Sequence, residues 1–335
     1  MTARKNSPVF VVGCHRSGTA LLYDSLLSAG GFPLYHQAPY VHSTFLRLCG
    51  QPSLRRNREK LLELWLRSKP FRKTGFSAAE LSSRILQECK TGGDFLQITM
   101  GALARRAGVQ RWAVHDGDNI MHMATIKREI PDALFVHIVR DGRDAALSLM
   151  KQGESLGTPL GWTKRRALFI WALLWQWTVR KGRRYGRQIP ADYIEVHYED
   201  LVNHPEQTLT TLGRFLDHDL DYCRIQKNAK GVVASSNTVW KQEAGAETFS
   251  PVDRWKTKLS QPEIGTLEGL IGDCLEEFGY QLTTEHPSFL HLDLTSKLMR
   301  VLYPQFFNIK LFLHSKTVVG RFGKGALRLE LSDPV

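Results

Sequence analysis

The apolar run Val9-Phe10-Val11-Val12 is cut short by Gly13, and a second glycine, Gly18, stands five residues later, just before Thr19-Ala20-Leu21-Leu22. Consecutive β-favouring apolar residues predict a strand buried on both faces. The segment after Gly18 predicts a helix, so the chain runs strand, glycine-bounded loop, helix. The first turn of such a helix has N–H groups with no intrahelical acceptor and the positive end of the macrodipole. Glycines let an anion approach that backbone closely. The feature is a place to hold a phosphate.

The pattern Gly13-x-x-x-x-Gly18-Thr19 resembles a P-loop, but the Lys that a Walker A motif carries between its second Gly and the hydroxyl residue is absent. The cation sits inside the loop instead, as Arg16. That argues against an ordinary ATPase or GTPase, whose Lys reaches the β and γ phosphates and whose Ser or Thr holds magnesium.

The chain has 335 residues and a formal net charge of +12, which favours anionic partners without choosing among nucleotides, glycans, lipid headgroups and nucleic acid. Its five cysteines, Cys14, Cys49, Cys89, Cys223 and Cys274, form no C-x-x-C pair, against a disulfide framework or a structural zinc site and in favour of a reducing compartment. Residues 1–7 form no apolar leader before the first strand. The most apolar later run, Leu168 to Val179, falls short of the roughly 20 residues that cross a bilayer and predicts a buried helix.

Strand, polar turn and helix recur along the chain. Gly30-Gly31-Phe32-Pro33 breaks the first helix, and the stretch to Gly50 reads as a loop over the sheet. Helical spacing covers Arg55 to Arg67, Ser77 to Lys90 with Ser77 as N-cap, and Phe95 to Ala107 ended by Gly108. Trp112-Ala113-Val114 predicts a strand, followed by the turn His115-Asp116-Gly117-Asp118-Asn119, with Asp118 capping a helix to about Ile130. Ala133 to Val139 predicts another strand, then a turn and a helix from about Ala145. Tyr193 to Tyr198 predicts a further strand, Pro205 to Leu216 and Pro262 to Phe278 helices, and Ala229 to Lys258 a long loop. Such alternation implies an α/β three-layer sandwich around a central, mainly parallel sheet, with the ligand site at the strands' carboxyl ends.

A second anchor lies in Val139-Arg140-Asp141-Gly142-Arg143-Asp144, where an arginine ends a buried strand and Ser148 follows in the next helix. A guanidinium forks onto phosphate oxygens, and a helix hydroxyl can complete the cradle. With the opening loop in its R-S-G-T form, this pattern resembles the sulfotransferases that use 3′-phosphoadenosine 5′-phosphosulfate (PAPS), which share a P-loop-NTPase-like fold. The likeness continues in Trp112, in Tyr198-Glu199-Asp200-Leu201 with Pro205, in Phe215-Leu216 and in Arg254-Trp255, covering roughly Pro8 to Tyr280. It implies a sulfotransferase domain over 1–280; the remainder, 281–335, where Leu298 to Gly325 mixes apolar residues with Lys and Arg, reads as a helical, basic extension packed on or beside it.

The resemblance implies that Cys14, His15, Arg16, Ser17, Gly18, Thr19 and Ala20 form the 5′-phosphosulfate loop, and that Arg140 and Ser148 hold the 3′-phosphate, with Arg254 adding a contact. It implies PAPS as donor, no metal, no nucleic acid, and a hydroxyl- or amine-bearing acceptor among small molecules, lipids or saccharides. The expected setting is cytoplasmic, with the basic tail a candidate for peripheral membrane contact. Arg16 is suited to neutralising the leaving phosphate.

A general base must take the acceptor's proton. Many relatives carry a Glu after the first helix, but Tyr35-His36-Gln37-Ala38-Pro39 has no carboxylate. The favoured base is His115, with Asp116 as its orienting partner or as an alternative base, and His36 is the runner-up. His42 and His137 read as structural. The competing readings are a non-catalytic nucleotide-binding protein of the same fold and, against the missing Walker Lys, a P-loop small-molecule kinase.

Overall fold

The computed structural model describes residues 4–156, 163–235, 250–284 and 292–316. Four parallel strands form one sheet in the order β2-β1-β3-β4: β1 (Val9–Val12), β2 (Ala113–His115), β3 (Leu134–Val139) and β4 (Tyr193–His197). Val9 pairs with both Ala113 and Leu134, and Phe135 with Tyr193, so β1 and β3 lie at the centre. Both are buried along their whole length, as their unbroken apolar runs require.

Alternate side chains feed two separate cores. Phe10, Val12 and Phe135 pack with α2 (Arg55–Arg67), α3 (Ala78–Glu88), α4 (Gly92–Arg106) and α5 (Met123–Glu129). Val9, Val11, Leu134, Val136 and Ile138 pack on the opposite face with α1 (Thr19–Ala29) and, later in the chain, α8 (Pro205–Leu216). A third core joins Cys14 and Val139 to α6 (Gly142–Leu156), α7 (Lys164–Gly186), α9 (Gln261–Glu277) and α10 (Leu294–Lys316). The chain is thus α/β, with helices on both faces of a parallel sheet.

Local chemistry sets the helix ends. Ser77 with Glu80, Thr91 with Asp94, and Ser260 with Glu263 form reciprocal capping boxes, and Gly108 leaves α4 at φ 69°. The Thr91 cap starts α4 at Gly92, earlier than its apolar spacing indicates. The stretch 30–50 is not the plain loop expected: Val41–Phe45 form a π-turn continued by an α-turn at Leu46–Cys49. It is buried because His42 Nε2 reaches Glu129 Oε2 at 2.9 Å, and that carboxylate also accepts the Gly93 N–H.

The turn after β2 also departs from expectation. It is a 3₁₀ segment, Gly117–Met121, capped by Asp116, whose Oδ1 accepts the Asp118 N–H; Asp118 itself points elsewhere. Helix α6 begins at Gly142, ahead of Ala145. Of the long loop expected over Ala229–Lys258, Gly231–Ala234 and Arg254–Lys258 are short helices, and 236–249 lie outside the described residues. The tail's helix α10 packs on α7 and α9: Trp177 Nε1 donates to Asn308 Oδ1, and Arg300 donates to the Gly269 carbonyl and pairs with Asp273. No helix among the described residues is long and apolar enough to cross a membrane.

Candidate active site

The loop from Gly13 to Gly18 leaves β1 at its carboxyl end and enters α1 with no side chain capping the helix and no acidic residue in its first turn. The backbone N–H groups and the helix dipole at that end meet no capping side chain of the helix, an arrangement that attracts an anion. Arg16 holds φ 69°, a left-handed conformation that costs an arginine roughly 1–3 kcal/mol and is found chiefly where function maintains it. Ser17 is fully buried, donates its N–H to the Cys14 carbonyl, and its Oγ has no partner. A buried hydroxyl without a partner is costly, so this one fits an absent anionic ligand.

The second motif closes on the same loop. Arg140 Nη1 donates to the Arg16 carbonyl at 3.0 Å, and its Nη2 to the Pro251 carbonyl at 2.6 Å. Its guanidinium lies over the Tyr198 ring, and its buried Nε has no partner. The exposed Arg16 side chain turns across the loop, its Nε donating to Ser148 Oγ at 3.0 Å. Asp144, buried on the next turn of α6, accepts the Trp255 N–H at 2.9 Å and so fixes the start of the short helix that bears Arg254. Arg16, Arg140 and Ser148 are therefore together, and Arg254 follows from the segment anchored beside them.

Three histidines stand around the loop. His15 Nε2 lies 3.0 Å from Asp118 Oδ1. Burial disfavours its charged form, but the Asp118 and Asp116 carboxylates outweigh that and raise its pKa. Asp116 is driven up by burial and by the neighbouring Asp118. His115 stacks on the Tyr23 ring at 4.3 Å; its Nδ1 has no partner, and burial, aided by nearby His36, depresses its pKa to about 4. Asp116 does not orient it: that carboxylate takes the Ser43 hydroxyl and the Asp118 N–H. His36 Nδ1 lies 3.1 Å from Asp24 Oδ1, with the imidazole 47% exposed and the carboxylate 8% exposed. Asp24 Oδ2 in turn accepts the Val232 N–H, and burial raises the Asp24 pKa.

Comparison with known proteins bears on what such a loop serves. A family model described as the sulfotransferase family matches residues 8–222. The chain belongs to the sulfotransferase family. It is 21% identical over 173 residues to a Caenorhabditis briggsae protein named "Putative protein-tyrosine sulfotransferase", a match covering 50% of this chain and 59% of that relative. The chain thus spans about three fifths of that relative's length. Among solved structures, it resembles the sulfotransferase domain from the curacin biosynthetic pathway, with TM-score 0.52 and 17% identity over 82% of this chain and 98% of that one. The sulfotransferase domain of the Synechococcus PCC 7002 olefin synthase matches with TM-score 0.50 and 16% identity, covering 82% and 96%. At these identities the structural matches show the fold, a P-loop-like sulfotransferase fold.

Some residues of the site were not legible in the sequence. Asp24 is the clearest: a lone carboxylate inside the apolar run Leu21-Leu22-Tyr23-Asp24-Ser25-Leu26-Leu27 signals a buried polar contact, though not its partner. Tyr198, beneath Arg140, stands out in the sequence only as part of a motif. His42 is held by Glu129 and His137 by the Tyr193 hydroxyl, both as structural residues. Among the described residues no group of His, Cys, Asp and Glu is arranged to hold a metal ion.

Proposed function

We propose that this chain transfers the sulfuryl group of PAPS to a hydroxyl or amine of a small molecule, lipid or saccharide. The observation that carries the proposal is the junction of two motifs more than a hundred residues apart: Arg140 on the Arg16 carbonyl and Arg16 on Ser148, at an uncapped helix N-terminus. PAPS supplies an activated sulfuryl group on a phosphate leaving group. The amides from Cys14 to Ala20, the Ser17 and Thr19 hydroxyls and Arg16 are the residues to hold its 5′ end. Arg140, Ser148 and Arg254 are those for its 3′-phosphate. Arg16 and the α1 dipole offset charge developing on the leaving phosphate.

For the base, the geometry favours His36 over His115. His36 is open to an incoming acceptor and has a carboxylate on Nδ1, which leaves Nε2 to take the acceptor's proton. His115 is closed in, its ring stacked on Tyr23 and its Nδ1 without a hydrogen-bond partner, with Asp116 turned away. The name of the worm relative supports a hydroxyl acceptor.

Thermal unfolding with PAPS or its product 3′,5′-bisphosphate, set against ATP with magnesium, tests the proposal. At a hundred times its dissociation constant the bisphosphate should stabilise the protein by about 2.7 kcal/mol. Stabilisation by ATP with magnesium and none by the bisphosphate would favour the kinase reading and overturn this one.

A further inference from the structure

The last described helix, α10, is two-sided in an unusual way. Ser296, Met299 and Phe307 are buried against α7 and α9. On the other side Leu298, Val301, Leu302, Phe306, Ile309 and Phe312 are each at least half exposed, and Leu294 is 73% exposed. At the helical repeat these side chains fall within an arc of about 140°. Between Leu298 and Phe312 Gln305 is the one polar residue inside that arc. A stripe this long and this apolar marks an interaction surface.

Charge selects the partner. Lys297 falls just beyond one edge of the stripe and Lys310 just beyond the other. From Leu294 to Leu329 the sequence has basic residues at 297, 300, 310, 316, 321, 324 and 328 and no Asp or Glu. Two copies of the stripe laid face to face would oppose like charges, and the following stretch of the chain, itself basic, would meet the same repulsion. An apolar face flanked by lysines is complementary to one kind of partner, an interface whose core is hydrocarbon and whose surface is anionic.

We propose that α10 docks this protein on an anionic lipid surface, lying in the plane of the interface with the Leu298–Phe312 stripe among the acyl chains and the lysines at the headgroups. The anchor on the enzyme side is rigid: Arg300 holds Asp273 and the Gly269 carbonyl, and Asn308 holds Trp177. Docking in this way needs no unfolding of α10 from the domain.

Sedimentation of the full chain with vesicles tests this. One set is phosphatidylcholine alone and the other equal parts phosphatidylcholine and phosphatidylglycerol. The expected result is binding to the anionic vesicles, weakened by high salt, and at least about tenfold weaker for Leu302→Gln/Phe306→Gln/Phe312→Gln. That variant should keep its thermal stabilisation by 3′,5′-bisphosphate; if it fails to fold, the single changes Leu298→Gln and Ile309→Gln carry the comparison. Equal binding to both vesicle types, or undiminished binding by the folded variants, would overturn the proposal. So would a lipid-free dimer that the variants dissociate, which would assign the stripe to a second copy.

Discussion

Two histidines in the segment after α1 each meet a carboxylate at almost the same distance, His36 through Nδ1 and His42 through Nε2, and they differ sharply in exposure. His36 with Asp24 spans 3.1 Å, and His42 with Glu129 spans 2.9 Å. In the first the imidazole is 47% exposed over a buried carboxylate; in the second both side chains are buried, at 1% and 6%. An oriented but open imidazole can pass a proton to or from a bound molecule. A closed one can only hold its neighbours, here the start of α4 through the Glu129 carboxylate, which also accepts the Gly93 N–H. Burial, more than pairing, separates a candidate base from a structural strut.

The largest expected effect follows from that contrast. His36→Asn should lower sulfuryl transfer from PAPS to a screened hydroxyl acceptor by about 10²- to 10⁴-fold while 3′,5′-bisphosphate still binds. His42→Asn should leave turnover per folded molecule close to wild type and cost about 1–3 kcal/mol in stability, by stripping a partner from buried Glu129. Activity assays beside urea melts read both. If His42→Asn abolishes turnover and His36→Asn does not, the roles drawn from burial are reversed.

A smaller effect is expected from Asp24→Asn. The amide oxygen can still take the Val232 N–H, but the charge that orients His36 is gone. Turnover should fall about tenfold or more with the bisphosphate affinity kept. Turnover that stays at the wild-type level would remove Asp24 from the positioning of the base.

How much of this was legible in the sequence follows the same divide between local and distant partners. The loop from Gly13 to Gly18, the strands β1 and β3, and Arg140 with Ser148 obey short-range rules: apolar runs, glycines, a helix start. They stand where those rules put them. The segment 30–50 has no periodicity because it is shaped by contacts far along the chain, such as His42 with Glu129 and the His218 imidazole on the Gly30 carbonyl. Spacing alone makes Asp118 the cap and Asp116 a histidine's partner; the turn exchanges them, since Asp116 caps and Asp118 reaches back to His15. Neighbouring carboxylates in a tight turn differ in direction, and one-dimensional spacing does not encode direction.

The smallest effect concerns a third closed histidine. His137 is fully buried in β3, with Nδ1 2.6 Å from the Tyr193 hydroxyl and no partner on Nε2. Burial depresses its pKa to about 4, against an ordinary value of 6.5. Between those values the unfolded chain binds a proton there that the native state does not. The stability from keeping this ring neutral is therefore full above pH 6.5 and is lost as pH falls towards 4. Glu199 runs the other way: burial raises its pKa from 4.5 to about 7 as it accepts the Asp141 N–H and the Tyr280 hydroxyl, so its contribution is full below 4.5 and lost as pH rises to 7. Urea melts between pH 4.5 and 6.5 should show the slope of stability against pH for His137→Asn shifted in the negative direction by up to about 1.4 kcal/mol per pH unit, one proton's worth. Glu199→Gln should shift the slope in the positive direction by a similar amount. Unchanged slopes in both variants would mean that neither group changes protonation on unfolding in this range, and that closure around His137 does not hold the ring neutral.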